Sequence, residues 1–108
     1  MYASVRRYQL KPGTEAEIIE RAREGFVPII SEDPGFVAYY IVDAGDGAVA
    51  TISIFEEKNS ADVSNTMAAD WIRRHLSELF AGSPEVVTGE VVVERRRQEE
   101  RLSQASSV

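Results

Sequence analysis

The sequence predicts an α+β fold of the ferredoxin-like βαββαβ type, a four-stranded antiparallel sheet with two helices on one face. Three observations carry this. Two β-rich runs, 36–42 and 48–55, flank Ala44-Gly45-Asp46-Gly47, which has the turn chemistry of a hairpin. One stretch of helical period precedes that hairpin and another follows it, and each is joined to a further β-forming run, at 2–10 and 86–93. The chain has 108 residues, which is one domain's worth.

In the first run Tyr2, Val5, Tyr8 and Leu10 favour a strand, and Lys11-Pro12-Gly13 stops it. Alternation sets Tyr2, Ser4, Arg6, Tyr8 and Leu10 on one face and Ala3, Val5, Arg7 and Gln9 on the other, with the inner face left open. Thr14-Glu15-Ala16-Glu17 fits a capping box, so a helix is expected to start there. Ile18, Ile19, Ala22, Phe26, Ile29 and Ile30 form its apolar stripe, opposite Glu17, Glu20, Arg21 and Glu24. Gly25 and Pro28 interrupt the stripe. Pro28 removes an amide donor and crowds the carbonyl of Glu24, which predicts a kink or two short helices.

In the hairpin, a two- or four-residue loop puts Val37, Tyr39 and Ile41 on the same face as Ala50, Ile52 and Ile54. A three-residue loop breaks that assignment. Either way, Tyr39 and Tyr40 face opposite sides. The first hairpin strand has no polar position on either face, whereas a half-exposed strand alternates. Helices can cover one side, and a second copy of the chain is expected to cover the Phe36, Tyr40, Val42, Val49 and Phe55 side. Asn59 or Ser60 then caps a second helix, whose face runs through Ala61, Ser64, Met67, Ala68, Trp71, Ile72, His75, Leu76, Leu79 and Phe80, with Gly82 as its C-terminal cap. Run 86–93 is the fourth strand, with Gly89 marking a bulge or a close backbone approach. Residues 1–94 thus make the domain, and 95–108 make a charged tail with few apolar anchors.

Composition narrows the function classes. With no cysteine, neither a disulfide framework nor a thiolate site is possible, and a reducing cytoplasm is the simplest setting. A net charge of −6 opposes phosphate backbones and anionic lipid, so neither nucleic acid nor membrane is an expected partner. The N-terminus lacks a signal peptide's apolar core, and no run approaches the roughly 20 apolar residues of a membrane helix. No phosphate loop, nucleotide fingerprint, zinc motif or nucleophile elbow occurs. Asp43, Asp46 and the Glu56-Glu57 pair have no histidine nearby in sequence, so no metal site is expected.

Three short segments carry a resemblance: Leu10-Lys11-Pro12-Gly13-Thr14 at the first strand–helix junction, Asp33-Pro34-Gly35-Phe36 before the hairpin, and Ile52-Ser53-Ile54-Phe55-Glu56 before the second helix. In these, residues 2–94 resemble the antibiotic biosynthesis monooxygenase-like superfamily of dimeric α/β barrels. The resemblance implies a homodimer with one pocket per subunit between helices and sheet. That superfamily includes cofactor-independent oxygenases, haem-degrading enzymes and other activities. In the haem-degrading branch a second-helix histidine binds iron, a tryptophan about ten residues earlier ruffles the porphyrin, and a first-strand asparagine assists. His75 matches that histidine, but Asn65 and Arg6 stand at the other two positions. The oxygenase branch often surrounds a polyphenol with tryptophan, asparagine and tyrosine, types offered here by Trp71, Asn65 and Tyr39 or Tyr40.

The expected catalytic residues are therefore His75, which alone titrates near neutral pH unperturbed, and Arg6, which could hold a carboxylate or enolate oxygen through paired donors. For Arg6 the alternative is an ion pair with Glu90 or Glu94. Trp71, Asn65, Tyr39, Tyr8 and Phe26 are the expected substrate contacts. No cofactor is expected, because an electron-rich phenol, once deprotonated, can pass an electron to oxygen by itself. The rival reading is a non-catalytic binding or structural dimer, and an open hollow of roughly 300 Å³ or more between helices and sheet would separate the two.

Overall fold

Strands β1 (Tyr2–Gln9), β2 (Phe36–Gly45), β3 (Ala48–Phe55) and β4 (Glu85–Glu90) form one antiparallel sheet in the order β2-β3-β1-β4. These come from a computed structural model that describes residues 1–97. With its two intervening helical segments this is the ferredoxin-like arrangement. The residues of β3 alternate in burial along its whole length, with Val49, Thr51, Ser53 and Phe55 on the covered side. Helices α1 (Glu15–Arg21) and α3 (Lys58–His75) supply that cover, since Ile18 and Leu76 pack with Tyr8, Leu10 and Val49 in one core cluster. A second cluster joins Phe26, Ile30 and Ala68 to Phe36, Tyr39, Met67 and Trp71. Among the described residues no helix is long and apolar enough to cross a membrane.

The break expected at Gly25 and Pro28 is present and has a defined form. After α1 the chain widens into a π-helical turn, Ala22–Phe26, and Pro28 then occupies the first turn of α2 (Val27–Ile30), where a missing amide costs little. Four terminal details differ from expectation. Thr14 is the N-cap of α1, but its hydroxyl donates to the Lys11 carbonyl at 2.7 Å, so no capping box forms. Helix α3 begins at Lys58 with Glu57 as N-cap, and the Ser60 hydroxyl instead donates to Asp33 Oδ1 at 3.0 Å, tying the helix to the turn before β2. At its other end α3 stops at His75, and a 3₁₀ turn, Ser77–Leu79, leads to Phe80, which bridges to Leu10. Gly82 has a φ of +76° but lies beyond the helix. Strand β4 stops at Glu90 rather than residue 93, and Gly89 pairs regularly with Ala3. Of the expected tail, 98–108 lies outside the described residues.

The hairpin register corrects the face assignment. The turn is the two-residue kind, Asp46 and Gly47 with φ of +53° and +79°, but irregularities between Asp43 and Gly45 and between Phe36 and Ala38 each insert a residue into β2. One inserted residue before the turn inverts the pairing. Tyr39 and Ile41 therefore share the covered face with Ser53 and Thr51, while Tyr40 and Val42 stand over Ile52 and Ala50 on the other. The second insertion returns Phe36 to the covered face, 6.0 Å from the Phe55 ring. Phe36, Val49 and Phe55 thus leave the bare face, whose apolar residues are Ala3, Val5, Ala38, Tyr40, Val42, Ala50, Ile52, Ile54 and Val87, with Arg7 and Glu85 toward one end. Tyr40 is 53% exposed and Val87 71%.

Candidate functional site: a buried arginine beneath an aromatic-walled cavity

Pairing β1 with β3 sets Arg6 opposite Thr51 and Ser4 opposite Ser53, so four polar side chains rise together under α3. All are buried, and Arg6 has 2% of its surface exposed. Arg6 Nε donates to Thr51 Oγ1 at 3.1 Å, Nη2 to Ser53 Oγ at 2.7 Å and Nη1 to Asn65 Oδ1 at 2.8 Å. The Ser4 hydroxyl donates to the same Asn65 oxygen, and Asn65 Nδ2 donates to Thr88 Oγ1 at 2.8 Å. Thr88 in turn lies 3.0 Å from Ser4 Oγ. Neutral oxygens alone hold this cation. Neither Glu90 nor Glu94 pairs with it; Glu94 bonds Arg96 at 3.1 Å. Ser4, Thr51, Ser53 and Thr88 are functional candidates that sequence reasoning passed over.

Tyr8 and Tyr39 close on the same group. Burial pushes both phenols above their ordinary value of 10.0, and the Arg6 charge with hydrogen bonding to Thr51 and Arg6 pulls them part of the way back. Both are neutral phenols at physiological pH.

Tyr8 and Thr51 also line a cavity between sheet and helices, which otherwise has apolar walls that include Ile41, Ala68, Phe26 and Trp71. It holds about 40 Å³ of room for water-sized molecules. This is far below the roughly 300 Å³ of an open ligand pocket. Arg6 does not line it and stands behind Thr51. On the far side, Trp71 and Phe26 pack at 5.7 Å between ring centroids, and Phe26 meets Tyr39 at 6.0 Å. The π turn makes this packing possible. At Gly25 a Cβ would come within 2.8 Å of Trp71 Cζ2, so only glycine lets the indole lie this close.

His75 sits outside this partition. Its exposed ring packs against Trp71 at 5.1 Å with the planes tilted by 39°, and its carbonyl accepts from Arg21 Nη1 at 3.2 Å. Next to it, Ile29, Met67 and Arg74 line a surface groove of about 230 Å³. The groove and the inner cavity share Phe26 and Trp71 as their common wall. The fold thus brings Arg6, Asn65, Tyr8 and Tyr39 together, places Phe26 and Trp71 as a partition, and keeps His75 on the solvent side of it. Among the described residues no group of three or more histidine, aspartate or glutamate side chains could hold a metal.

No family profile matches the chain, and no curated protein does. Solved structures do. A monooxygenase from Streptomyces coelicolor, crystallised with nanaomycin D, aligns over 90% of this chain and 92% of its own with a TM-score of 0.71 and 23% identity. An antibiotic biosynthesis monooxygenase aligns over 86% of this chain and all of its own, 100%, with a TM-score of 0.67 and 20% identity. The fold is that of the antibiotic biosynthesis monooxygenase-like proteins. A protein of unknown function from Nitrosomonas europaea shares it too, with a TM-score of 0.74 and 16% identity over 90% of this chain and 94% of its own. At these identities the antibiotic biosynthesis monooxygenase-like likeness speaks for architecture, and activity has to be argued from the side chains.

Proposed function

We propose that the chain is a homodimeric, cofactor-independent monooxygenase of this type, acting on a small aromatic or polycyclic phenol between helices and sheet. The observation that carries the reading is the partition. Trp71 and Phe26 stand between an apolar cavity and an outer groove, so a swing of these two rings joins the two spaces into one cleft with aromatic walls. In it Trp71, Phe26 and Tyr8 provide the apolar contacts, with Tyr39 and Asn65 behind them. His75 takes the phenolic proton at the mouth, and Arg6 places positive charge beneath the floor. The ionised phenol then passes an electron to dioxygen. Overall one oxygen atom enters the ring to give a quinone and the other leaves as water, all four electrons coming from the phenol.

A second reading, a non-catalytic binding dimer, is favoured by the small closed cavity and by the separation of His75 from Arg6. Oxygen uptake with candidate phenols and quinols separates the two. Turnover that falls in His75→Ala supports the enzyme. Binding, read from the emission of the single tryptophan, without any oxygen uptake supports the second reading. Haem does not fit: the cavity is too small for a porphyrin, and the His75 ring lies on Trp71 outside it. Adding haemin should give no Soret shift. The dimer reading rests on the bare sheet face, where Tyr40, Val42 and Val87 form an apolar patch of the kind that marks an interface. Sedimentation at micromolar concentration should give twice the 12.0 kDa chain mass. A cytoplasmic setting suits a chain without cysteine.

A further inference from the structure

The inner cavity is the seam between the two core clusters. Tyr8, Ile18, Val49 and Leu76 of the first cluster wall one end of it, Phe26 and Ala68 of the second wall the other, and Trp71 packs against both. Its surface is wholly apolar. Thr51 and Tyr8 line it with carbon, since the Thr51 hydroxyl accepts from Arg6 Nε at 3.1 Å and the Tyr8 phenol is engaged with Thr51 and Arg6. Among the described residues no buried side-chain nitrogen or oxygen lacks a partner, so none is left to hold a polar guest in this space.

Polarity and size together bound the occupant. A buried water needs roughly two to four polar partners, and apolar cavities without them stay dry. One water-sized body takes roughly 10–15 Å³ of such room, so about 40 Å³ accommodates a guest of roughly two or three heavy atoms, and an aromatic ring is too large. What fits is a small apolar molecule held by dispersion against close-packed walls. The reaction proposed above consumes one such molecule.

We infer that the inner cavity is a seat for molecular oxygen, separate from the space on the groove side that takes the phenol. The gas lies at the Ile18, Val49 and Leu76 end, and the Phe26–Trp71 partition stands between it and the groove. A phenol that enters through the partition then has oxygen on its inner side and His75 on its outer side. Holding the gas beside the ring turns an encounter of three bodies into one of two. The use of the gas rests on the monooxygenase reading, whereas the dry apolar seat does not.

The test uses xenon, a single apolar atom, and dioxygen, whose paramagnetism speeds the relaxation of nearby protons. Under pressure of either gas the methyl signals of Ile18, Val49, Ala68 and Leu76 should respond, by shift with xenon and by relaxation with dioxygen, more strongly than those of Ile30, which is as buried but does not line the space. Val49→Ile and Ala22→Val, which add carbon to the wall, should each abolish the response with circular dichroism unchanged. In steady-state turnover both should raise the KM for oxygen at least about threefold while the KM for the phenol stays within about twofold. If Val49→Ile does not fold, Ala22→Val decides alone. Equal responses at Ile30 and the cavity methyls, or responses that survive both variants, overturn the inference and leave the proposed function standing. A KM for oxygen unmoved in folded variants that have lost the gas response overturns it as well. The expected gas responses with no oxygen uptake from any phenol remove the proposed function and leave the seat standing.

Discussion

The two faces of the sheet are made from alternate residues of the same strands, and each departs in part from what burial alone would select. The covered face carries Arg6, Ser4, Thr51 and Ser53, all buried, while the bare face carries Tyr40, Val42, Ile52, Ile54 and Val87. A buried polar cluster and an exposed apolar patch are the two departures from the ordinary pattern that carry information. On the proposed function, the covered face serves a small molecule and the bare face a second copy of the chain.

The contrast can be broken most forcefully at Phe55, which has 1% of its surface exposed and anchors the covered face. Phe55→Ala should cost about 3–5 kcal/mol in denaturant unfolding, as large buried aromatics do. A loss below 1 kcal/mol would mean that this face is not the core. Gly25→Ala comes next. The added methyl meets Trp71, so stability should fall by about 1–3 kcal/mol, as in overpacked cores, with a shift in Trp71 emission and weaker ligand binding. A neutral or stabilising result would show that the indole does not need the space. On the bare face, Tyr40→Glu should weaken the dimer at least about tenfold, or 1.4 kcal/mol, in sedimentation while leaving ligand binding intact. Equal dimerisation by the variant would place the interface elsewhere.

The smallest effect sharpens the covered face through pH. Tyr8 and Tyr39 have folded values above 10.0, so the folded state holds their protons more tightly than the unfolded one. Their contribution is complete below pH 10.0 and is lost as pH rises through the folded values. Tyr8→Phe and Tyr39→Phe should each flatten the alkaline decline in unfolding free energy. An unchanged decline would mean that neither phenol is held by burial.

How far the chain could be read from its residues differs between these faces. Element order was legible because period-2 and period-3.6 patterns are local, and the break at Gly25 and Pro28 was legible because both residues act on their own backbone. Register was not. The insertions at Val37 and Ala44 leave no mark in the alternation of a strand that is apolar on both sides, and one inserted residue exchanges the faces. Arg6 was singled out as an arginine in a strand, but its partners Thr51 and Ser53 are distant in sequence and become neighbours only through the pairing of β1 with β3. The place of His75 was hidden for another reason. Helix α3 ends there, so a residue on the apolar stripe is left at the rim, against Trp71 but outside the core.

Mapping amide shifts by nuclear magnetic resonance while para-nitrophenol is added tests most directly whether the two faces serve two kinds of partner. Shifts are expected at Tyr8, Phe26, Thr51, Ala68 and Trp71 on the covered side, and none at Tyr40, Val42 or Val87. Shifts gathered on Tyr40, Val42 and Val87, with Thr51 and Trp71 still, would contradict it.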